Sequence, residues 1–196
     1  MRATIRTPWA ASLLLGALTA GLIVTPALAA PGYQPDGRIQ QGPFGVAGDQ
    51  ALYNPGPWLG YHIYNATGAH QTAVVTQTGG ADAVGIYYTF GISIQNDGSA
   101  TDRFKVKATG APSAWVVTYS RGTTNITSAV VAGTYQTPSL APGATYLISA
   151  RITLPQSSNL SFSVARLVTI RSVANSTKID AVKFGFLWNP GVPMGG

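Results

Sequence analysis

The sequence predicts an all-β protein, an antiparallel β-sandwich of about seven strands, and three observations carry that expectation. Val84, Ile86, Tyr88, Phe90, Ile92 and Ile94 share one parity, while Gly85, Thr89, Gly91, Ser93 and Gln95 hold the other. A two-residue rhythm of apolar side chains marks a strand with one buried face. Further short apolar runs follow, each bounded by Gly, Pro, Asn or Ser, the spacing of a sandwich. Only 9% of residues are charged and all six acids are aspartates, so the chain lacks the Glu/Lys/Leu stock of exposed helices.

Residues 1–30 read as a signal peptide. Arg2 and Arg6 precede an apolar run from Trp9 to Val24, Pro26 breaks it, and Ala27-Leu28-Ala29 supplies the small-x-small cleavage pattern. The run is shorter than the ~20 residues a membrane span needs. The expectation is a secreted, extracellular protein with no stable membrane insertion after cleavage. The chain has no cysteine, which excludes disulfides, thiolate metal sites and thiol nucleophiles and leaves stability to the core. Losing Arg2 and Arg6 with the signal takes the net charge from +6 to +4, a mild positive balance that reads first as a solubility feature, with anionic polysaccharide or an acidic cell surface as the sharper alternative.

Residues 31–64 carry many prolines and glycines without sustained periodicity, as in "GPFGVAGDQALYNPGPWLG", and read as an extended arm. Phe44, Leu52, Tyr53 and Trp58 make it too apolar for a free linker. The sandwich is expected over 65–188 and a tail over 189–196. Gln71–Gln77 is a weak opening strand. After the strand beginning at Val84, Phe104, Val106 and Ala108 point inward, and Arg103, Lys105 and Lys107 outward. Trp115–Ser120 places Trp115, Val117 and Tyr119 inward, and Tyr135 sits in a short strand. Thr145–Leu154 places Tyr146, Ile148, Ala150, Ile152 and Leu154 inward. Ser161–Val173 and Ile179–Leu187 complete the set, with Arg166 breaking the parity of the former, a sign of a bulge or an edge.

Leu140-Ala141-Pro142-Gly143-Ala144-Thr145-Tyr146 resembles the Leu-x-Pro-Gly-x-x-Tyr corner of fibronectin type III-like domains. With "QNDGSATDRFKV" before it and "SVANSTKIDAVKF" after it, the order is similar to bacterial extracellular immunoglobulin-like modules, among them the cell-adhesion-related CARDB type and the module attached to some α-galactosidases. The resemblance spans about Gln71 to Phe186. It implies an immunoglobulin-like sandwich, a Tyr146 hydroxyl bonded to backbone, and a non-catalytic role in adhesion, spacing or binding.

Candidate sites are few. Asn96, Asp97 and Asp102 offer oxygens to calcium, but the spacing lacks the EF-hand pattern and its closing Glu, whereas Asn-Asp-Gly suits a turn that needs left-handed backbone. The expectation is a turn, with a weak ion site near Asp97 as the sharper alternative. His62 and His70, the only imidazoles, lack the cysteine that a copper sandwich of the cupredoxin kind needs. No Gly-x-Ser-x-Gly occurs, and no aspartate pair is marked out for glycoside cleavage. No catalytic residue, cofactor or metal ligand is assigned, and no enzyme activity is expected.

Tyr53-Asn54-Pro55-Gly56-Pro57-Trp58 nearly recurs as Trp188-Asn189-Pro190-Gly191-Val192-Pro193. Trp58, Tyr61, Tyr64 and Trp188 are the candidate ligand residues, an aromatic platform for a sugar ring, against the plainer reading that they cap the sandwich. The basic stripe Arg103, Lys105, Lys107 reads as a solvated strand face and an edge defended against pairing; it lacks a stacking motif, so no nucleic acid is expected as partner. Asn65-Ala66-Thr67, Asn125-Ile126-Thr127 and Asn175-Ser176-Thr177 match the N-glycan acceptor pattern and are read as loops. The chain is thus expected to be a structural or adhesive module whose partner is a cell-surface polysaccharide or protein. A small carbohydrate-binding protein and self-association through the arm are the alternatives.

Overall fold

A computed structural model describes residues 32–46, 56–78, 86–110, 115–153 and 162–189. The signal peptide 1–30, the Tyr53–Pro55 part of the first Pro-Gly turn, and all of the tail after Asn189 lie outside them. Among the described residues, eleven strands and one short helix run in the order β1 (Pro35–Val46), β2 (Trp58–Leu59), β3 (Thr72–Thr78), β4 (Ile86–Asn96), β5 (Phe104–Ala108), β6 (Val116–Arg121), β7 (Thr124–Asn125), α1 (Thr127–Ala132), β8 (Tyr135–Gln136), β9 (Thr145–Thr153), β10 (Phe162–Ser172) and β11 (Ile179–Asn189). They form two sheets, ordered β2-β1-β4-β9-β6-β7 and β3-β11-β10-β5-β8. The all-β sandwich is therefore present.

The parity read from the sequence is the parity of the core. Phe90, Ile92, Ile94, Phe104, Val106, Tyr119, Ala150, Ile152, Val168, Ile170 and Phe184 are all fully buried. Rings mesh between the sheets: Phe90 lies 5.1 Å from Phe184 and Tyr88 4.8 Å from Phe186, centroid to centroid. Trp115, half-buried, meets Phe186 edge-on at 6.1 Å. Each such residue contributes about 1.5–3 kcal/mol by burial, which outweighs any surface ion pair.

Four expectations change. First, the arm proposed for 31–64 contains a true strand: β1 lies between β2 and β4, and Ile39 is fully buried. Its prolines and sparse apolar residues argued against a central strand. The chain accommodates Pro43 by a register shift between Gln41 and Phe44. At Gly42 beside it, a Cβ would lie 2.9 Å from the Thr89 carbonyl oxygen. Secondly, the strand pairing is not wholly antiparallel, because β3 runs parallel to β11, from Thr72 opposite Lys183 to Thr78 opposite Asn189. The count also exceeds about seven, because β2, β7 and β8 are only two residues long.

Thirdly, α1 was not foreseen. Six residues are too few for a helical period to show. The segment is closed by Gly133 at φ 72°, whose N–H bonds back to the last turn, and anchored by the buried Val130. Finally, the Pro142-Gly143 corner is a tight turn as expected, with Gly143 at φ 76° and Ala144 N–H donating to Ala141 O at 3.0 Å. The Tyr146 hydroxyl, however, bonds the Tyr135 hydroxyl at 2.8 Å rather than backbone, because β8 places a second tyrosine within reach. Arg166 keeps regular register with Phe184, so there is no bulge; its side chain follows the inward parity of Val164 and Val168, with Nε and Nη2 buried.

Candidate functional site

The Asn-Asp-Gly segment is a turn as expected, but none of Asn96, Asp97 and Gly98 takes the left-handed backbone that its residue types suggested; the Asn96 side chain holds the turn instead. Asn96 is buried, its Oδ1 accepts from Gly98 N–H at 3.0 Å, and its amide donates to Ala100 O and Leu140 O at 2.8 Å each. Asp102 points inside and accepts from the Ser172 hydroxyl and, at 3.2 Å, from Ala174 N–H. The three Asn-x-Thr triplets are also local turns: Asn65, Asn125 and Asn175 each accept from the N–H two residues on, at 3.0, 2.9 and 3.1 Å.

Asp97, by contrast, leaves the turn and joins a cluster at the end of the first sheet. The His62 Nδ1 donates to it at 2.7 Å, and the Tyr64 hydroxyl also donates to it. Asp36, fully buried on β1, accepts Arg38 Nε at 2.9 Å and His62 N–H at 3.1 Å. Arg38 continues to the Gln95 side chain and stacks over the Tyr61 ring at 3.9 Å. His62 holds a left-handed backbone at φ 52°, a conformation that costs a non-glycine residue about 1–2 kcal/mol; the Asp36 and Asp97 bonds hold it there.

Burial pushes the Asp97 carboxyl up, but the Tyr64 and His62 hydrogen bonds and the His62 and Arg38 charges together outweigh it and hold the group below its ordinary value. Burial raises Asp36 against the opposing pull of Arg38. Asp36, His62 and Asp97 place ligand atoms within 4.8 Å of one another, which is close enough for a cation. Yet both Asp36 oxygens are engaged and a guanidinium sits on one of them, which opposes a second positive charge. The cluster acts as a clasp that ties the chain after β2 to the β4–β5 turn.

Its stability contribution has a definite sign. A carboxyl lowered in the native state stabilises fully above the ordinary value of 3.8, and this is lost as pH falls through the lowered native value. The Asp97→Asn variant should therefore lose stability at neutral pH and show a shallower acid limb in urea midpoints taken across pH 2–6. Asp36 and Asp180 are both raised by burial and run the opposite way; the Asp97 charge also helps to raise Asp36, so the difference between wild type and variant reads Asp97 together with that coupling. Parallel acid limbs would refute the clasp.

The four candidate ligand residues are separated. Tyr61 and Tyr64 belong to the clasp; Tyr61 is 59% exposed but its ring carries the Arg38 guanidinium and meets the His62 ring edge-on at 3.9 Å, and the Tyr64 hydroxyl is committed to Asp97. Trp58 lies on edge strand β2 and reaches across β1, so that a Cβ on Gly91 would sit 3.2 Å from its ring. Trp188 belongs to the other sheet, opposite Gln77 and Phe162, and its side chain lies outside the described residues. Half-open concavities lie on the outer faces of both sheets. One of about 450 Å³ on the first sheet is lined by Thr89, Thr118, Ser120, Ser149 and Arg151 among others. One of about 370 Å³ on the second is lined by Lys105, Lys107, Gly133, Thr169 and Arg171.

No protein-family model and no curated protein matches this sequence. Among solved structures, the chain is similar to the N-terminal domain of PorA at 17% identity, over 76% of this chain and 98% of that one, with a TM-score of 0.42. It is also similar to the Vibrio cholerae VesB protease at 10% identity, over 59% of this chain and 30% of that one, with a TM-score of 0.33.

Arg38, Asp36 and Arg171 were not singled out from the sequence. Arg38 and Asp36 lie in the stretch read as an arm, and Arg171 gains its place only through its pairing with Lys105. The outward parity of Arg171 within β10 was the one signal available.

Proposed function

We propose that this protein is a secreted, non-catalytic structural or adhesive module of the cell exterior. One observation supports the reading above others: of the described aspartates, Asp36, Asp102 and Asp180 are buried and bonded to strands and turns, and Asp97 is held in the clasp. Carboxylates spent on holding backbone are not free for acid–base work. The signal-peptide pattern of 1–30 and the resemblance of Leu140–Tyr146 to extracellular immunoglobulin-like modules, CARDB type included, support the location. Expression of the full chain with a C-terminal tag tests it: a processed band in the envelope or medium, retained on intact cells, is expected. A full-length band confined to the cytoplasm would sink the reading.

The sugar-binding alternative draws on Trp58. An aromatic ring lying over a glycine beside a hydroxyl-lined hollow is a surface on which a neutral sugar face can rest. Trp58→Ala should then abolish retention on a neutral cell-wall glycan column; unchanged retention removes the alternative. Self-association through 31–64 would require exchange of β1 between copies, because β1 pairs with β4 of its own chain.

A further inference from the structure

The net charge conceals how unevenly charge is placed. With the described aspartates drawn inward or into the clasp, the two ion pairs among the described residues are Arg38–Asp36 and His62–Asp97. Among the described residues no aspartate pairs with the cations on the outer face of the second sheet; Arg103 Nε donates to the Thr137 carbonyl at 3.3 Å. Arg103, Lys105 and Lys107 project from β5 and the residue before it, Arg171 projects from β10, and all four are exposed. Lys105 is directly opposite Arg171 and Lys107 opposite Thr169. Like charges facing each other across strands destabilise a sheet.

Defence of an open edge does not explain this arrangement. Lys105 and Val106 are hydrogen-bonded to β8 as well as to β10, and Arg171 lies on a strand between β11 and β5. The charges are on a face. Lys105, Lys107 and Arg171 line the concavity of about 370 Å³, and Gly133 shapes its wall: a Cβ there would lie 3.1 Å from Lys107 Cδ. The Lys107 stem thus runs along a backbone without a side chain. A second hollow of about 240 Å³, lined by Lys107, Thr109, Leu167 and Thr169, extends the trough.

We propose that this trough is a binding site for an acidic glycan, a sugar chain carrying a carboxylate or comparable anion on successive residues. The inference rests on the extracellular reading above and names the surface the module would grip. Outward residues on one strand recur about every 7 Å, and facing residues across strands lie about 5 Å apart. Arg103, Lys105, Lys107 and Arg171 therefore form a grid of positive charge that an extended polyanion can follow. Nucleic acid fits less well, because no aromatic stands among Arg103, Lys105, Lys107, Leu167, Thr169 and Arg171 to stack a base.

The test is retention of the processed protein on immobilised polygalacturonate over a salt series. Wild type should bind with log affinity falling linearly in log salt. Lys107→Gln combined with Arg171→Gln should bind about tenfold or more weakly, with the slope reduced by about 2. Arg121→Gln combined with Arg151→Gln removes the same charge from exposed positions on the other sheet and should bind as wild type. Thermal melts of both variants within a few degrees of wild type exclude unfolding as the cause. Absent wild-type binding, equal losses in both variants, or equal affinity for duplex DNA would each overturn the proposal. Retention on cells without binding to polygalacturonate would do so while leaving the extracellular reading intact.

Discussion

Phe184→Ala should lower unfolding stability by about 3–5 kcal/mol, seen as a fall in the urea midpoint at unchanged slope. Phe184 is fully buried on β11, where its ring meets Phe90 at 5.1 Å and Tyr119 at 6.2 Å from the opposite sheet. Truncation removes the transfer energy of the ring and leaves a void that the two sheets cannot close, because strands hydrogen-bonded on both sides move little. Leu187, three residues along the same strand, is 39% exposed on the outer face. Leu187→Ala should therefore cost roughly 0.5 kcal/mol. Equal losses at the two positions would mean that the sheets do not pack by the faces described.

The second large effect is expected at Asp180, where Asp180→Ala should cost about 4 kcal/mol and Asp180→Asn about half of that. Its carboxylate, fully buried, accepts Gly37 N–H at 2.6 Å, Ala181 N–H at 2.8 Å, the Gln71 side-chain amide at 2.9 Å and Asn65 N–H at 3.0 Å. Alanine leaves four donors without an acceptor where little water reaches. Asparagine restores one oxygen but turns its own N–H groups toward donors. The contact is also a tie between sheets, since Gly37 is on β1 and Asp180 on β11. Gly37 has no room for a side chain: a Cβ would fall 2.6 Å from Ile170 Cδ1. Calorimetry on the two variants checks the order; an alanine variant as stable as wild type would show that the node holds nothing.

Gly37 and Asp180 explain why the first strand was illegible. "PDGRIQQGPFGV" buries Pro35, Asp36 and Gly37 in succession, so no alternation appears there. A carboxylate 143 positions away satisfies one of its N–H groups. By contrast, β4, β5, β6 and β9 show the parity that sequence reading found, because each buries one face and wets the other.

The candidate site divides in the same way. Tyr61 and Tyr64 stood out as aromatics, but the partners that define their roles, Arg38 and Asp97, come from β1 and from the β4–β5 turn. The basic stripe on β5 was visible residue by residue. That Lys105 faces Arg171 was not, since the register between β5 and β10 joins segments more than sixty residues apart.

The sequence by itself determined which side chains of each long strand face the core, where the chain turns, and that neither thiol chemistry nor disulfides are available. These follow from local covalent geometry and residue type. Tertiary structure decided which strands neighbour one another, that β1 belongs inside a sheet and β3 runs parallel to β11, and that the aspartates turn inward while the cations stay out. Those outcomes depend on complementary packing and hydrogen bonding between distant segments, and a short window of residues holds only one side of each contact.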